Sequence, residues 1–129
     1  MERRVINPWT WQEQFGFNHG HEVTGGRTLY LAGQVSLDAE GQLVHAEDMA
    51  GQITQSIDNI EAILTEAGMT MADIVRLNVY TTDVDQMLQH YGLLSRVNEA
   101  GARYTSTLLG VARLAFPELM VELEATAVA

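Results

Sequence analysis

The chain contains no cysteine and no lysine. Without cysteine there is no disulfide framework, no thiolate nucleophile and no zinc thiolate site. Without lysine there is no Schiff base, no Walker-type phosphate loop and no lysine-anchored pyridoxal phosphate. All 7 cationic residues are therefore arginines, which stay charged and clamp anions rather than shuttle protons. Positive charge is scarce against 17 acidic residues, and the net charge of −10 disfavours a phosphate-backbone partner or an anionic membrane surface. No stretch approaches the roughly 20 apolar residues of a membrane span, and MERRVINPWTWQEQF lacks the apolar run of a secretory signal. A cytoplasmic protein is the expectation.

Only Pro8 and Pro117 interrupt the chain as prolines, and no linker or repeat is visible, so residues 1–129 are read as a single domain. RTLYLAGQVSL (Arg27 to Leu37) is β-rich and follows the turn signal Gly25-Gly26; a hairpin partner is expected in Gly20 to Thr24 and a short strand in Gln42 to His45. Met49, Ile53, Ile57, Ile60, Leu64 and Ala67 recur at helical spacing, with Asp48 to cap the start and Gly68 to end the helix. Asp73 to Asp83 has the β-branched content of a strand. From Asp83 or Asp85 to about Ala100 a second helix is expected, with Met87, Leu88, Tyr91, Leu94 and Val97 inward and Gly101 at its end. Closing strands are placed at about Ser106 to Leu114 and Leu119 to Val128. The order β-β-α-β-α-β-β predicts an α+β fold, a mixed β-sheet with two helices on one face. Its other face is left bare, and oligomerisation follows as an expectation.

On the last strand Val121, Leu123, Ala125 and Ala127 alternate with Met120, Glu122, Glu124 and Thr126. Glu122 and Glu124 thus share a face about 7 Å apart, either as a solvated face or with one carboxylate aimed into a pocket. His19-Gly20-His21 offers half of a metal site or a hydrogen-bonding pair, with no third or fourth ligand evident; no metal is expected. Ala32-Gly33-Gln34 either lets a ligand approach the backbone or marks a bulge. Trp9 and Trp11 either pack against the sheet or line a site. No GxSxG, GxGxxG, HExxH or CxxC occurs, so the signatures of nucleophilic hydrolases, dinucleotide binders and zinc proteases are missing.

AGQVSLDAEGQLV, QITQSIDNIEAILTEAGMTMADIVRLNVYTTDVD and VARLAFPELMVELEATAV together resemble the RidA/YjgF family of reactive-intermediate deaminases, in the family's order and over most of Phe15 to Val128. The resemblance implies a chorismate-mutase-like α+β fold assembled as a homotrimer, with small-molecule clefts between subunits. It also implies cofactor-free hydrolysis of imines and enamines to 2-keto acids and ammonia. In that mechanism an arginine on the penultimate strand clamps the substrate carboxylate, and a strand glutamate positions or activates water.

The family's closing pattern puts the functional glutamate at Glu122, with Glu124 as its solvated or salt-bridged neighbour. Gly33, whose backbone approaches ligand in the family, is retained, and the amide near Leu108 can still serve. The arginine position falls on Ser106. Arg113 lies seven residues on, roughly 23 Å along a strand and on the other face, while Arg103 would need a small loop insertion to come into register. The family's entry tyrosine falls on Phe17 and a helix asparagine on Tyr91; Ser106 and Thr107 offer neutral donors. Losing a bidentate clamp forfeits roughly 1.5–3 kcal/mol, about tenfold to over a hundredfold in affinity for a small carboxylate. Two functions are therefore carried forward: a cofactor-free imine or enamine hydrolase, and a small-molecule-binding or partner-regulating trimer. A ribonuclease role is disfavoured by the acidity and the absent lysine.

Overall fold

A computed structural model describes all 129 residues. Two antiparallel strands, β1 (Glu2–Ile6) and β2 (Gly20–Thr24), pair from Glu2↔Thr24 to Ile6↔Gly20. The remaining strands form a mixed sheet: β3 (Thr28–Tyr30), β4 (Ile74–Thr81), β5 (Leu108–Gly110) and β6 (Val121–Val128), in the order β3-β6-β4-β5. β6 is antiparallel to both β3 and β4, and β5 is parallel to β4. Three helices complete the fold: α1 (Met49–Glu66), α2 (Val84–Gln89) and α3 (Ser95–Glu99).

Each helix forms where the sequence supplies its stops. The Asp48 side chain accepts from Gly51 N–H at the start of α1, and Gly68 takes φ +73° just beyond its end, where a side chain would be strained. The stripe Met49, Ile53, Ile57, Ile60 and Leu64 is buried against Leu77 and Val79 of β4 and Val121, Leu123, Ala125 and Ala127 of β6. All helical core residues join that one cluster, so the helices cover one face of the sheet. The other face carries Arg76, Asn78, Tyr80, Glu122, Glu124 and Thr126 across β4 and β6.

Four expectations change. The partner of Gly20–Thr24 is β1, because a second Gly at the 25–26 turn, both with positive φ, swings the chain away rather than closing a hairpin onto Thr28. Arg27 to Leu37 keeps only a short strand and a bridge from Gln34 to Leu123, and Gln42 to His45 contributes a bridge from Leu43 to Leu37. The helix expected over Asp83 to Ala100 breaks into α2, a 3₁₀ turn at Tyr91–Leu94 and α3; Met87, Leu94 and Val97 are buried, whereas Leu88 faces outward. The break falls at His90-Tyr91-Gly92, where glycine weakens helix propensity. The closing strand expected over Ser106 to Leu114 is regular only at Leu108–Gly110, with a further bridge from Thr105 to Arg76.

Candidate functional site

Alternation along β6 places Glu122 and Glu124 on the open face, across from Tyr80 and Asn78. The two carboxylates meet different surroundings. Glu124 Oε1 accepts from Tyr80 Oη at 2.9 Å and from Asn78 Nδ2 at 3.3 Å. It is therefore neither merely solvated nor salt-bridged, the two states expected of it: two neutral donors on the neighbouring strand hold it. Glu122 folds its carboxylate over Gly33, so closely that a β-carbon at Gly33 would sit 1.9 Å from Glu122 Oε2. Glycine at 33 is what leaves room for that carboxylate.

Partial burial, and then repulsion from Glu124, raise the Glu122 pKa above the usual glutamate value. The Tyr80 hydroxyl is likewise raised, chiefly because it donates to Glu124 and so resists giving up its proton. A carboxyl group with heightened proton affinity, beside the half-buried backbone of Gly33, can take a proton from water and return it to a leaving group.

Seven residues were expected to line one site, and the structure distributes them over two faces. Glu122, Gly33 and Thr107 belong to the open face, Thr107 by its place one residue before Leu108 in the β4 register. Leu108 stands across from buried Val79, and its side chain packs against the core; Ser106, two residues earlier, shares that face and donates Oγ to the Leu77 carbonyl at 2.5 Å. Phe17 and Tyr91 lie on the core side as well: both pack against the core, Tyr91 Oη donates to the Phe15 carbonyl at 3.0 Å, and Asn18 N–H donates to the Tyr104 carbonyl. Burial raises the Tyr91 pKa.

Ser106 and Glu122 sit two strands and three residues apart, about 14 Å in the sheet plane at roughly 4.8 Å per strand and 3.3 Å per residue. Within one chain the two halves do not converge. The Leu108 amide, by contrast, is available: the Thr107 carbonyl and Val111 amide bond to β4, so the N–H of Leu108 points off the free edge of β5.

Of the arginines considered as replacements, one is engaged within its own loop and the other lies beside the β1–β2 ribbon. Arg113 donates to the Leu114 and Ala115 carbonyls of its own loop. Arg103 lines a depression with Arg3, Val5 and His21 beside the β1–β2 ribbon, and its carbonyl meets His21 Nδ1 at 2.6 Å. The two histidines part company: His19 packs edge-on among Trp9, Trp11 and Phe17, with ring centres 4.8–5.7 Å away. Trp9 and Trp11 leave 58% and 54% of their surface exposed, so neither packs against the sheet as one sequence reading had it. Asn78 and Tyr80 were missed altogether. Their signal was present in the alternation Arg76, Asn78, Tyr80, which sets three polar-tipped residues on one face of their strand, the face they share with Glu122.

Residues 15–129 match the family model described as endoribonuclease L-PSP, the RidA/YjgF group. This chain belongs to the RidA/YjgF family. A crystal structure of a Rid-family protein of unknown function from Yersinia pestis, YyfB, is 39% identical, with a TM-score of 0.90 and 100% of each chain covered. A RutC family protein of Pyrococcus abyssi is 30% identical over 115 residues, covering 84% of each chain. A Salmonella typhimurium protein named 2-iminobutanoate/2-iminopropanoate deaminase is 35% identical over 60 residues, 46% of each chain. The α+β architecture is the YjgF fold. The family model begins at residue 15, so β1 and Trp9 and Trp11 lie ahead of it, while the Yersinia Rid protein spans them.

Proposed function

We propose that this RidA-family chain is a cofactor-free imine or enamine hydrolase whose proton carrier is Glu122. The observation that carries the reading is the Glu122 carboxyl laid over Gly33 with its proton affinity raised. In the reaction, water oxygen bonds to the imine carbon as the C=N electron pair moves to nitrogen. Glu122 passes the water's proton toward that nitrogen. Collapse of the resulting amino alcohol breaks the C–N bond, releasing ammonia and leaving a carbonyl. The deaminase name of the Salmonella relative supports this class of chemistry, over less than half of the chain.

The reading includes assembly. A cleft that uses both Glu122 and the off-edge amide of Leu108 needs a second copy, because one chain holds them apart; a homotrimer with clefts between subunits meets that need. A small-molecule ligand is the partner we expect. A nucleic acid is not, since the net charge is −10 and lysine is absent. No helix is long and apolar enough to cross a membrane, and a cytoplasmic site of action agrees with the absence of cysteine.

A second reading, a binding trimer without catalysis, is favoured by one observation: Ser106 stands where the resemblance puts the carboxylate clamp, and its hydroxyl is spent on the Leu77 carbonyl. Ammonia release separates the two. Imines generated in situ by an amino-acid oxidase should be hydrolysed faster with the protein than without it, and Glu122→Gln should lose at least about tenfold of the acceleration. No acceleration by the parent chain with any amino acid would leave the binding trimer standing.

A further inference from the structure

We propose that the loop from Asn7 to His19 is a built aromatic shelf that takes a flat apolar group of the ligand, so that the substrate class is imines and enamines with a phenyl- or indole-sized side chain. The proposal rests on the reading of the chain as an imine or enamine hydrolase and adds the side chain that its substrate carries.

The loop holds both tryptophans of the chain, and each leaves more than half of its surface to solvent, 58% at Trp9 and 54% at Trp11. Their rings are ordered around His19. The Trp9 and Trp11 ring centres lie 5.0 and 4.8 Å from that of His19, at interplanar angles of 83° and 71°, and Trp11 also meets Phe17 edge-on at 5.9 Å. His19 Nε2 is covered, so the histidine is the hub of the shelf and the exposed indoles are what a ligand meets.

This exposure does not come from a loose loop. Asn7 latches the neck: its Oδ1 accepts from His19 N–H at 2.8 Å and its Nδ2 donates to Asn18 Oδ1 at 2.9 Å. Farther along, Tyr91 Oη donates to the Phe15 carbonyl at 3.0 Å and Asn98 Nδ2 to the Gly16 carbonyl at 2.5 Å. Gly16 has φ +77°, and a β-carbon there would sit 2.9 Å from Asn98 Oδ1. The rings are thus held in place before a ligand arrives, and a preorganised aromatic surface binds a flat group at low entropic cost.

Position ties the shelf to the proposed cleft. Asn18 N–H donates to the Tyr104 carbonyl and His21 Nδ1 meets the Arg103 carbonyl, so the loop's end runs in the opposite sense along the segment that leads into β5. Phe17 therefore falls on the Ser106 side of Asn18. The off-edge amide of Leu108, which the cleft requires, follows Tyr104 by four residues, roughly 13 Å of extended chain.

Composition names the group that fits. Apart from His19, the loop's one ionisable side chain is Glu13, and it contains no arginine. Ser106, where the resemblance puts a carboxylate clamp, spends its hydroxyl on the Leu77 carbonyl. Affinity must then come from the apolar part of the ligand, which exposed aromatic rings supply.

The indole N–H signals of Trp9 and Trp11 are the only two in the chain, so nitrogen-15 NMR of the full protein reads the shelf directly. The probes are phenylacetamide and indole-3-acetamide, with acetamide as the control that shares their neutral amide. Saturable shifts of both signals with the aromatic amides, and none with acetamide, are expected. Trp9→Leu and Trp11→Leu should each weaken binding by about tenfold, read from the indole that remains; both positions are exposed, so the core is untouched. Equal shifts with acetamide, no saturable shift with either aromatic amide, or unchanged affinity in both folded variants overturns the proposal. Indole signals that ignore the amides and move with protein concentration, in step with the sedimenting mass, assign the loop to contact between copies and overturn it too. Turnover separates this proposal from the hydrolase. Binding of the aromatic amides without ammonia release from any imine retains the shelf as a ligand site and refutes the hydrolase. Ammonia release no faster for phenylalanine- and tryptophan-derived imines than for the alanine-derived one refutes the shelf and retains the hydrolase.

Discussion

At Gly33 and Glu122 a missing side chain decides where a carboxylate sits. Gly33→Ala puts a β-carbon against Glu122 Oε2 and within 2.9 Å of its Cγ, so the glutamate side chain must swing away. The three nearest atoms all belong to the flexible Glu122 side chain, so we expect a melting temperature within a few degrees of the parent and a loss of hydrolysis approaching that of Glu122→Gln. Retained activity in a folded Gly33→Ala protein would show that the observed carboxyl position is not the working one. The raised pKa of Glu122 gives a second prediction. A carboxyl that binds its proton more tightly folded than unfolded contributes stability that is complete below the ordinary glutamate value and lost as pH rises through the folded value. Glu122→Gln should therefore melt higher than the parent near pH 7–8, by no more than a few degrees for a half-exposed group, and the gain should vanish toward pH 4. A pH-independent difference in thermal scans would remove the electrostatic cause. Period-two alternation was enough to put Glu122 and Glu124 on one face, but which carboxylate is free depends on Tyr80 and Asn78. Those are contacts between residues more than 40 positions apart, and no local pattern encodes them.

Among the elements, α1 is tied to the start of β6 by one buried amide. Gln52 is fully buried; its Nε2 donates to the carbonyls of His45 and Glu118, and its Oε1 accepts from Met120 N–H. Two residues after Met120 comes Glu122, so this cross-link sets where the strand carrying the carboxylate begins. Gln52→Leu keeps the volume but leaves the His45 and Glu118 carbonyls and the Met120 N–H without their partner, and denaturant unfolding should show a loss of about 1–3 kcal/mol. A loss below about 1 kcal/mol would mean that water or rearrangement satisfies those groups. The helix itself was legible because cap, apolar stripe and terminal glycine agree. Gln52 was not: on a sequence stripe it is a polar residue one place from Ile53, and two of its three partners lie 66 and 68 positions away. The break at His90-Tyr91-Gly92 escaped for the opposite reason, since Met87, Leu94 and Val97 keep helical spacing across a turn that is no longer α-helical. β1 went unread because ERRVI has two adjacent arginines where an apolar core strand would not, and Arg3 is needed to anchor the ribbon to Asp73 and to the carbonyls of Ala72 and Val128.

For the whole molecule, the sheet is finished on one side and open on the other. Its helix-covered face contributes a contiguous core, while Tyr30 at 81% exposure and Leu109 at 49% stand uncovered on β3 and β5 at opposite margins of the open face. The bare face was legible from element order alone; the number of copies that cover it is an expectation drawn from family likeness. Self-association around that face would bury Tyr30 and Leu109 and bring the off-edge amide of one β5 toward the Glu122 of a neighbour, which one chain cannot do for itself. Sedimentation equilibrium should thus give a mass near three times the 14.3 kDa chain. Leu109→Glu places a third carboxylate on the open face, in the row of Tyr80 and Glu122, and should shift the mass toward one chain at micromolar concentration. Because Leu109 is exposed in the single chain, that variant should keep its secondary structure while losing hydrolysis if the cleft lies between copies. A parent protein that sediments as a monomer and still hydrolyses imines would show that Glu122 and Gly33 suffice without the edge of β5.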